Sequence, residues 1–205
     1  MLTLVFANQK GGVGKTTLAG HVAVAATSAG EMVVLMDTDP QGSLSDWWNV
    51  RVAEDISFAT ARLGDLSSQL HELGSQGYTL AIIDTPPAVT ATIATVVAAA
   101  DLVVIPTRPS PHDLRAVGRT VALCTGRPMF LINGAAARAR LTAQAAIALS
   151  EHGAVAPIIV HQRTDFAAAM VDGRTAQELD ARSKCASEMD QLWTHIKNRL
   201  KSDKQ

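Results

Sequence analysis

Short apolar runs alternate along the chain with longer segments in which apolar and polar positions follow a helical period. The runs are continuously apolar, as is typical of parallel strands that are covered on both faces. The predicted strands are Leu2–Ala7, Met32–Met36, Leu80–Ile83, Leu102–Ile105, Met129–Ile132 and Val155–Val160. The predicted helices are Lys15–Ser28, Leu63–Leu73, Thr90–Ala99, Leu114–Cys124, Leu141–Glu151 and Ser183–Leu200.

This alternation predicts an α/β fold, a doubly wound and mostly parallel sheet with helices on both faces. The segment Asp46–Thr60 has no pattern that assigns it, so its structure stays open. Its tryptophans, Trp47 and Trp48, suit either the core or a surface for a partner. No repeat or linker interrupts the chain, and its 205 residues, 47% of them hydrophobic, predict a single domain over 1–205.

Composition narrows the function classes. The net charge of −1 gives no overall attraction to nucleic acid, so any basic surface must be local. Cys124 and Cys185 have no metal-ligand spacing, and we expect two buried thiols in a reducing cytoplasm. The longest apolar stretch, Ile93–Ile105, is interrupted by Asp101 and is too short for a membrane helix. With no signal peptide pattern, these features predict a soluble cytoplasmic protein.

A glycine-rich segment, Gln9–Thr17, lies between the first predicted strand and the first predicted helix. Glycines there let backbone N–H groups point at phosphate oxygens, and the helix adds its positive dipole end. A lysine and two hydroxyls follow, as a P-loop requires. Gln9 stands where the general P-loop pattern has its first glycine, and the loop carries an additional lysine, Lys10. We interpret the segment as a phosphate-binding loop.

Three aspartates follow the next two predicted strands. Asp37 and Asp39 come after the second, and Asp84 comes after the third. Ligands of an open parallel sheet bind beyond the carboxyl ends of its strands, so we expect all three carboxylates near the phosphate loop. Each alone would suit a turn cap. Together they predict a nucleotide site with a metal ion.

Three motifs resemble those of the ParA/MinD family of ATPases. Lys10–Thr17 is similar to the family's deviant Walker A motif, Asp37–Gly42 to the motif that follows it in ParA proteins, and Ile82–Pro87 to the Walker B segment. The first two are highly specific together. The weaker similarities continue in the same order through Val104–Pro106, Leu131–Asn133, Gln162, Arg163, Gly173 and Glu178.

The resemblance implies an Mg²⁺-dependent ATPase that closes as a homodimer around two ATP molecules. Lys10 is similar to the signature lysine that reaches the partner subunit's phosphates, Lys15 to the P-loop lysine and Asp39 to the aspartate that orients the attacking water. These three form the implied catalytic set. Phosphoryl transfer to water depends mainly on charge neutralisation and positioning, which fits these residue types.

The resemblance also implies the ligands of metal and base. Thr16 is similar to the Mg²⁺ ligand, Asp84 to the aspartate that holds Mg²⁺ through water, and Asn133 to the asparagine that reads adenine; Asp37 is a further metal candidate. The implied nucleotide-binding residues are Lys10, Gly11, Gly12, Val13, Gly14, Lys15, Thr16, Thr17 and Asn133.

The C-terminal segment distinguishes the branches of the family. From Arg182 onward six cations stand against three acids, so a local patch could contact DNA phosphates. The candidate DNA contacts are Arg182, Lys184, Lys197, Arg199 and Lys201, with Arg138 and Arg140 as a second spot. The apolar face of the same segment favours core packing over the membrane helix of MinD-like proteins, because its end is polar. The core face comprises Met189, Leu192, Trp193, Ile196 and Leu200.

Because the chain begins at its first strand, we expect no preceding helix-turn-helix domain, which points to the small ParA type. The resemblance then implies a nucleoid-associated ATPase that binds DNA non-specifically as an ATP dimer and is released by a ParB-like partner that stimulates hydrolysis. Plasmid partition is the first interpretation. The alternatives are positioning of another cargo, a MinD-like membrane-associated ATPase, and a metabolic ATPase of the same fold, against which the absence of extra ligand motifs argues.

Overall fold

The computed structural model describes residues 1–87, 90–124, 126, 128–136 and 140–202. In this part of the chain, seven strands form one sheet in the order β3-β2-β4-β1-β5-β6-β7, and every neighbouring pair is parallel. The strands are β1 (Leu2–Phe6), β2 (Val33–Asp37), β3 (Ser57–Phe58), β4 (Leu80–Asp84), β5 (Leu102–Thr107), β6 (Met129–Ala135) and β7 (Ala154–His161). The predicted α/β fold with a mostly parallel sheet is confirmed.

The strand order places a switch point at the centre of the sheet. After β1 the chain moves past one position to β2 and then returns to fill the gap with β4, whereas β5 pairs with the other edge of β1. The connection from β1 to β2 and the connection from β4 to β5 therefore run in opposite directions along the sheet. A crevice opens at such a point beyond the carboxyl ends of the strands. The loop after Phe6 enters this crevice.

Helices cover both faces of the sheet. One layer packs on the side of Leu4 and Phe6 and contains the first, second and last three helices, while the other packs on the side of Val5 and contains the remaining four. The helices are α1 (Lys15–Ser28), α2 (Ser43–Val50), α3 (Leu66–Ser75), α4 (Thr90–Ala98), α5 (Pro111–Val121), α6 (Arg140–Ser150), α7 (Thr164–Ala169), α8 (Ala176–Leu179) and α9 (Lys184–Ser202), with a 3₁₀ turn at Met170–Asp172.

The apolar face of α9 belongs to the core, as the sequence predicted. Its five predicted core residues are at most 5% exposed and pack in the same cluster as the buried side of α1. Burial of this face leaves it unavailable to a membrane. None of the helices in the described ranges has the length and apolarity to cross a bilayer.

The unassigned segment around Trp47 and Trp48 contains α2 and the short edge strand β3. Trp47 is buried, and its indole ring packs against Gly20 of α1. Its Nε1 donates to the carbonyl of Arg174 at 3.0 Å. Trp48 is partly buried and donates from Nε1 to Ile56 at 2.7 Å. Trp47 therefore packs in the core, and Trp48 packs partly against the same cluster.

Candidate nucleotide site

The predicted phosphate loop turns sharply between β1 and α1. Gly12 and Gly14 have φ values of 70° and 92°, a region that favours glycine. Gly14 is also the N-cap of α1, so the helix begins with its N–H groups directed into the cleft. A Cβ at Gly14 would overlap Nδ2 of Asn133, which donates to the carbonyl of Val13 at 2.7 Å. Both the backbone conformation and the close contact therefore require glycine at position 14.

Lys15 is buried at the first turn of α1, with 7% of its surface exposed. Its Nζ lies 3.5 Å from the carbonyl oxygen of Lys10. Burial lowers the pKa of Lys15, and the nearby carboxylates of Asp84 and Asp39 oppose this effect. A buried ammonium surrounded by loop N–H groups is suited to an anion.

Asp84 ends β4 beside Thr16, and its exposed fraction is 1%. The Thr16 hydroxyl donates to Asp84 Oδ2 at 2.5 Å, and the N–H of Thr85 donates to Oδ1 at 3.0 Å. Burial raises the pKa of Asp84 to about 7, the Thr16 hydrogen bond lowers it, and the Asp37 carboxylate adds to the increase. Hydroxyl and carboxylate oxygens are hard ligands of the kind that Mg²⁺ takes.

Asp37 and Asp39 shape the loop that follows β2. Asp37 accepts from the N–H of Asp39 at 2.9 Å through Oδ1, and from Leu44 and Ser45 at 3.0 and 3.2 Å through Oδ2. Asp37 thus caps the start of α2. Asp39 Oδ1 accepts from the N–H of Gln41 at 3.0 Å, and the residue lines the cleft. The structure therefore brings Asp37, Asp39 and Asp84 to the phosphate loop, with Asp37 engaged by backbone groups.

Lys10 is held by its own chain. Its Nζ lies 2.8 Å from Oδ1 of Asp113, a buried residue in the first turn of α5. The two residues before Lys10 are attached to the same helix, because Gln9 donates its N–H to Thr120 Oγ1 at 3.1 Å and Thr120 Oγ1 lies 3.5 Å from Asn8 Oδ1. The first half of the phosphate loop therefore rests on α5.

The sequence prediction missed Asp113 because it began this helix at Leu114. Ser110 accepts from the N–H of Asp113 and Pro111 occupies the first turn, so the signal was a helix start of the Ser-Pro-x-Asp kind. It also missed His21, which is fully buried. His21 Nδ1 lies 2.8 Å from the Thr17 carbonyl, and Nε2 accepts from the N–H of Ala176 at 3.0 Å. Sequence spacing gave no signal for that contact.

The cleft in front of the loop has a volume of about 810 Å³. This lies within the range of small-molecule sites. Its lining includes the phosphate loop, Asp39, Asn133 and the residues after β7. It also includes six apolar side chains, those of Trp47, Val50, Val160, Phe166, Met170 and Val171.

The predicted DNA contacts do not form one patch. Lys197 Nζ pairs with Glu31 at 2.8 Å and lies over the Trp193 ring, while Lys184 and Lys201 are exposed. Lys184 and Lys201 are about 25 Å apart along α9 at 1.5 Å per residue. Arg199 is half-buried and Arg182 is exposed before the helix. Of the second predicted spot, exposed Arg140 begins α6, and Arg138 lies outside the described residues.

In the described ranges, no three His, Cys, Asp or Glu side chains come together as a ready metal cluster. The Thr16–Asp84 pair instead offers two oxygens beside the loop. An ion held there needs its remaining ligands from phosphate and water, which is usual for Mg²⁺. The pair therefore fits Mg²⁺ that arrives with a nucleotide.

Comparisons with known proteins agree with this geometry. The Maintenance of carboxysome distribution protein A of Gloeobacter kilaueensis is 49% identical over 117 residues, which are 56% of this chain and 52% of that protein. The match thus spans about half of that relative. The protein of the same name from Halothiobacillus neapolitanus is 27% identical over 208 residues, with 95% of each chain covered.

The fold also matches a solved structure of apo McdA from Cyanothece, with a TM-score of 0.75, 19% identity, and coverage of 98% of this chain and 99% of that one. At family level, residues 4–176 match the CobQ/CobB/MinD/ParA nucleotide binding domain. This range includes the phosphate loop, both aspartate motifs and Asn133. The chain therefore belongs to the CobQ/CobB/MinD/ParA family, in its ParA/MinD branch.

Proposed function

We propose that this chain is a ParA-type ATPase that positions a protein cargo in the cell. The observation that carries the proposal is the pair of lysines, Lys10 and Lys15, on a phosphate loop that opens at the switch point of the sheet. The names of the two relatives favour a protein cargo over a plasmid. Plasmid partition is therefore no longer the first interpretation.

The described residues fit MgATP. Lys15 and the N–H groups at the start of α1 would neutralise the phosphates, and Thr16 with Asp84 would hold Mg²⁺, which supplies further positive charge to the phosphoryl group. Asn133 uses Nδ2 on the Val13 carbonyl, so its Oδ1 can accept from the amino group of adenine. The apolar side chains that line the cleft suit the aromatic ring of a nucleotide base.

Hydrolysis requires a positioned water. Asp39 lines the cleft on the loop after β2, and its Oδ1 is fixed by the N–H of Gln41. A carboxylate in this place can orient water toward the terminal phosphate, and little covalent chemistry is needed beyond that. We expect slow turnover in a lone subunit, since Lys10 would complete the site of a second one.

Dimer formation would require Lys10 to change partners. A single ammonium cannot lie 2.8 Å from Asp113 of its own chain and also contact the phosphates of a partner subunit. The ATP dimer would therefore break this pair and gain a charge-assisted contact to phosphate. Non-specific DNA and a ParB-like stimulating protein complete the proposed cycle at the nucleoid.

The test separates binding from hydrolysis. Lys15→Ala should abolish the rise in melting temperature that MgATP gives, because the buried phosphates lose their counterion. Lys10→Ala should keep most of that rise and lose about 100-fold or more in ATPase rate, the range of a removed transition-state contact. Lys184→Ala, an exposed lysine far along the chain, is the matched control. Equal rates in Lys10→Ala and the unmodified chain would contradict the dimer.

The cargo requires a separate experiment. In cells that express this chain, a fluorescently labelled protein assembly should be spaced evenly along the nucleoid. In cells that express Lys15→Ala instead, the same assembly should stay clustered. If the Lys15→Ala cells lose a plasmid and their protein assemblies do not change, the chain acts in plasmid partition instead. Co-sedimentation with anionic vesicles that depends on ATP would instead support a MinD-like function, against which the buried face of α9 argues.

A further inference from the structure

Charge is unevenly distributed along this sequence. Residues 102–150 contain six arginines and one acidic residue, Asp113, whereas the whole chain has 18 Lys and Arg against 19 Asp and Glu. The formal charge is therefore +5 in this segment and −6 in the remainder. The segment runs from β5 through α5 and β6 to α6. Four of the six arginines, at positions 108, 115, 119 and 140, belong to the described residues, and all four are exposed.

The outer face of α5 concentrates this charge. Arg115 and Arg119 lie one turn apart on this helix, and both side chains are exposed. Arg108, which precedes the helix, lines the nucleotide cleft beside Gly134 instead. We call Arg115 and Arg119 the arginine row. The ion pairs within the described part of the chain include neither of them. The only acidic residue of the helix, Asp113, is directed inward to Lys10.

The row is unfavourable for the isolated fold. Like charges one turn apart on a helix repel each other, and among the described residues no ion pair includes Arg115 or Arg119. Their role therefore lies outside the packing of the chain. A polyanion on this face would relieve the repulsion and release its own counterions.

The neighbouring positions indicate which polyanion fits. The other exposed residues of α5 are Pro111, His112 and Gly118, and a side chain at Gly118 would meet open space. A membrane-binding helix would need bulky apolar residues between its cations, and a peptide site would need an apolar pocket. A low surface of guanidinium groups instead suits phosphates, which arginine contacts in a bidentate manner.

We propose that the arginine row is the surface that binds the phosphate backbone of duplex DNA, in place of the cations of α9. This inference rests on the proposed function, to which it adds the location of the DNA. The inner side of the same helix holds the phosphate loop through Asp113 and Thr120. DNA on the outer side would lie about one helix diameter, ~10 Å, from that loop.

Two double variants test the surface. Arg115→Ala/Arg119→Ala removes both cations of the row, and Lys184→Ala/Lys201→Ala removes two exposed cations from α9 as the matched control. Both are made in an Asp39→Ala background with MgATP, and binding to a fluorescent duplex of arbitrary sequence is measured over a series of salt concentrations. The row variant should bind at least about 10-fold more weakly at low salt, and its log–log salt slope should fall by about 2 per protomer. The control should stay within about twofold.

Stability and dimerisation measurements separate the possible failures. The row variant should melt at or above the temperature of its parent, because it loses only a repulsion, and it should dimerise equally with MgATP. If it binds DNA as tightly as its parent while the α9 variant loses affinity, the row is overturned and the proposed function stands. If the parent dimerises but binds no duplex at low salt, the DNA part of both proposals fails. Binding of polyglutamate or anionic vesicles in place of DNA would also overturn the row.

Discussion

At the scale of single residues, Lys15 and Asp84 lie in the same buried part of the site. Burial lowers the pKa of Lys15 and raises the pKa of Asp84, so it favours the neutral form of each side chain. Phosphate beside Lys15 and a divalent cation beside Asp84 would each favour the charged form again. In the free protein the charged forms of these two side chains therefore reduce the stability of the fold, and a magnesium nucleotide would offset that loss. The loss of stability can be measured without any ligand.

Replacement of Asp84 by asparagine should stabilise the free protein at alkaline pH. Folding raises the pKa of Asp84 from 3.8 to about 7. Between these two pH values the folded chain binds more protons than the unfolded chain, so the free energy of unfolding falls as pH rises. Asp84→Asn removes the charged form and should gain about 4 kcal/mol at pH 8 and little at pH 4, while MgATP no longer stabilises the variant. Thermal melts at the two pH values check this. A lower melting temperature at pH 8 would contradict it.

Asp113→Asn should make the ATP dimer form more readily. The substitution keeps the shape of the side chain but removes the charge that holds Lys10 in its own subunit. Since dimer formation would break that ion pair, we expect a dimer dissociation constant lower by about 10-fold, or 1.4 kcal/mol. Sedimentation of the variant in an Asp39→Ala background with MgATP measures it. Weaker dimerisation would mean that Asp113 positions Lys10 for the partner rather than restrains it.

These residues show what the sequence predicts about the site and what it leaves out. Glycine, lysine and hydroxyl spacing predicts that Gly14, Lys15 and Thr16 lie at a strand–helix junction, because the geometry is local. The pairing of Lys10 with Asp113 joins positions about 100 residues apart in sequence, and no local pattern encodes it. The same holds for the hydrogen bond that Asn133 Nδ2 donates to the carbonyl of Val13.

At the scale of elements, a buried histidine joins the helix of the phosphate loop to the short helix α8. Burial lowers the pKa of His21 to about 4, whereas the Thr17 carbonyl and Glu178 act in the opposite direction. The neutral ring accepts from Ala176 and lies edge-on to Phe166, with 5.1 Å between ring centroids. The hydrogen bond from Ala176 to the ring therefore exists only while the ring is neutral, whereas Gln177 Nε2 also donates to the backbone carbonyl of His21 at 3.0 Å.

Acid should weaken this connection in a defined window. The unfolded chain binds a proton at His21 near pH 6.5 and the folded chain near pH 4, so the stability from this group is complete above 6.5 and is lost as pH falls toward 4. The loss amounts to about 3 kcal/mol. His21→Gln should reduce the pH dependence of urea unfolding between pH 7 and pH 4 by that amount. An unchanged dependence in the variant would exclude His21 as its source.

Gly173 connects α2 to the segment before α8. Its φ is 78°, and a Cβ would overlap the backbone of Arg51, whose Nη1 donates to the Gly173 carbonyl at 2.8 Å. Gly173→Ala should cost about 3 kcal/mol, since both strain and overlap apply. Gly77, with a φ of 100° and open space, is the matched control and should lose only about 1 kcal/mol. Chemical denaturation measures both, and equal losses would contradict the close approach.

Elements with their own periodicity were predictable and those that depend on partners were not. α1 was predicted with its observed bounds, and the six predicted strands agree with the structure to within two or three residues at each end. The prediction lacked α2, β3, α7 and α8. Each is short, and α2 with α8 is held by distant groups such as Arg51, whose guanidinium binds Glu178 in a bidentate contact at 2.7 and 3.0 Å.

At the scale of the whole molecule, different helices cover the two faces of the sheet. The apolar sides of α9 and α1 pack on one face, while α5 and α6, with α3 and α4, pack on the other. The nucleotide cleft lies at the edge where both faces meet, and the phosphate loop contacts both layers through His21 and Asp113. ATP in the cleft would therefore bear on both layers at once.

Two copies of this chain should close around ATP, and sedimentation of the Asp39→Ala protein measures whether they do. With excess MgATP we expect a species of twice 21.6 kDa, and with MgADP, or with MgATP after the additional change Lys10→Ala, a species of 21.6 kDa. A parallel melt confirms that ATP is bound. A protein that binds MgATP in the melt but sediments at 21.6 kDa throughout would exclude the ATP-dependent dimer.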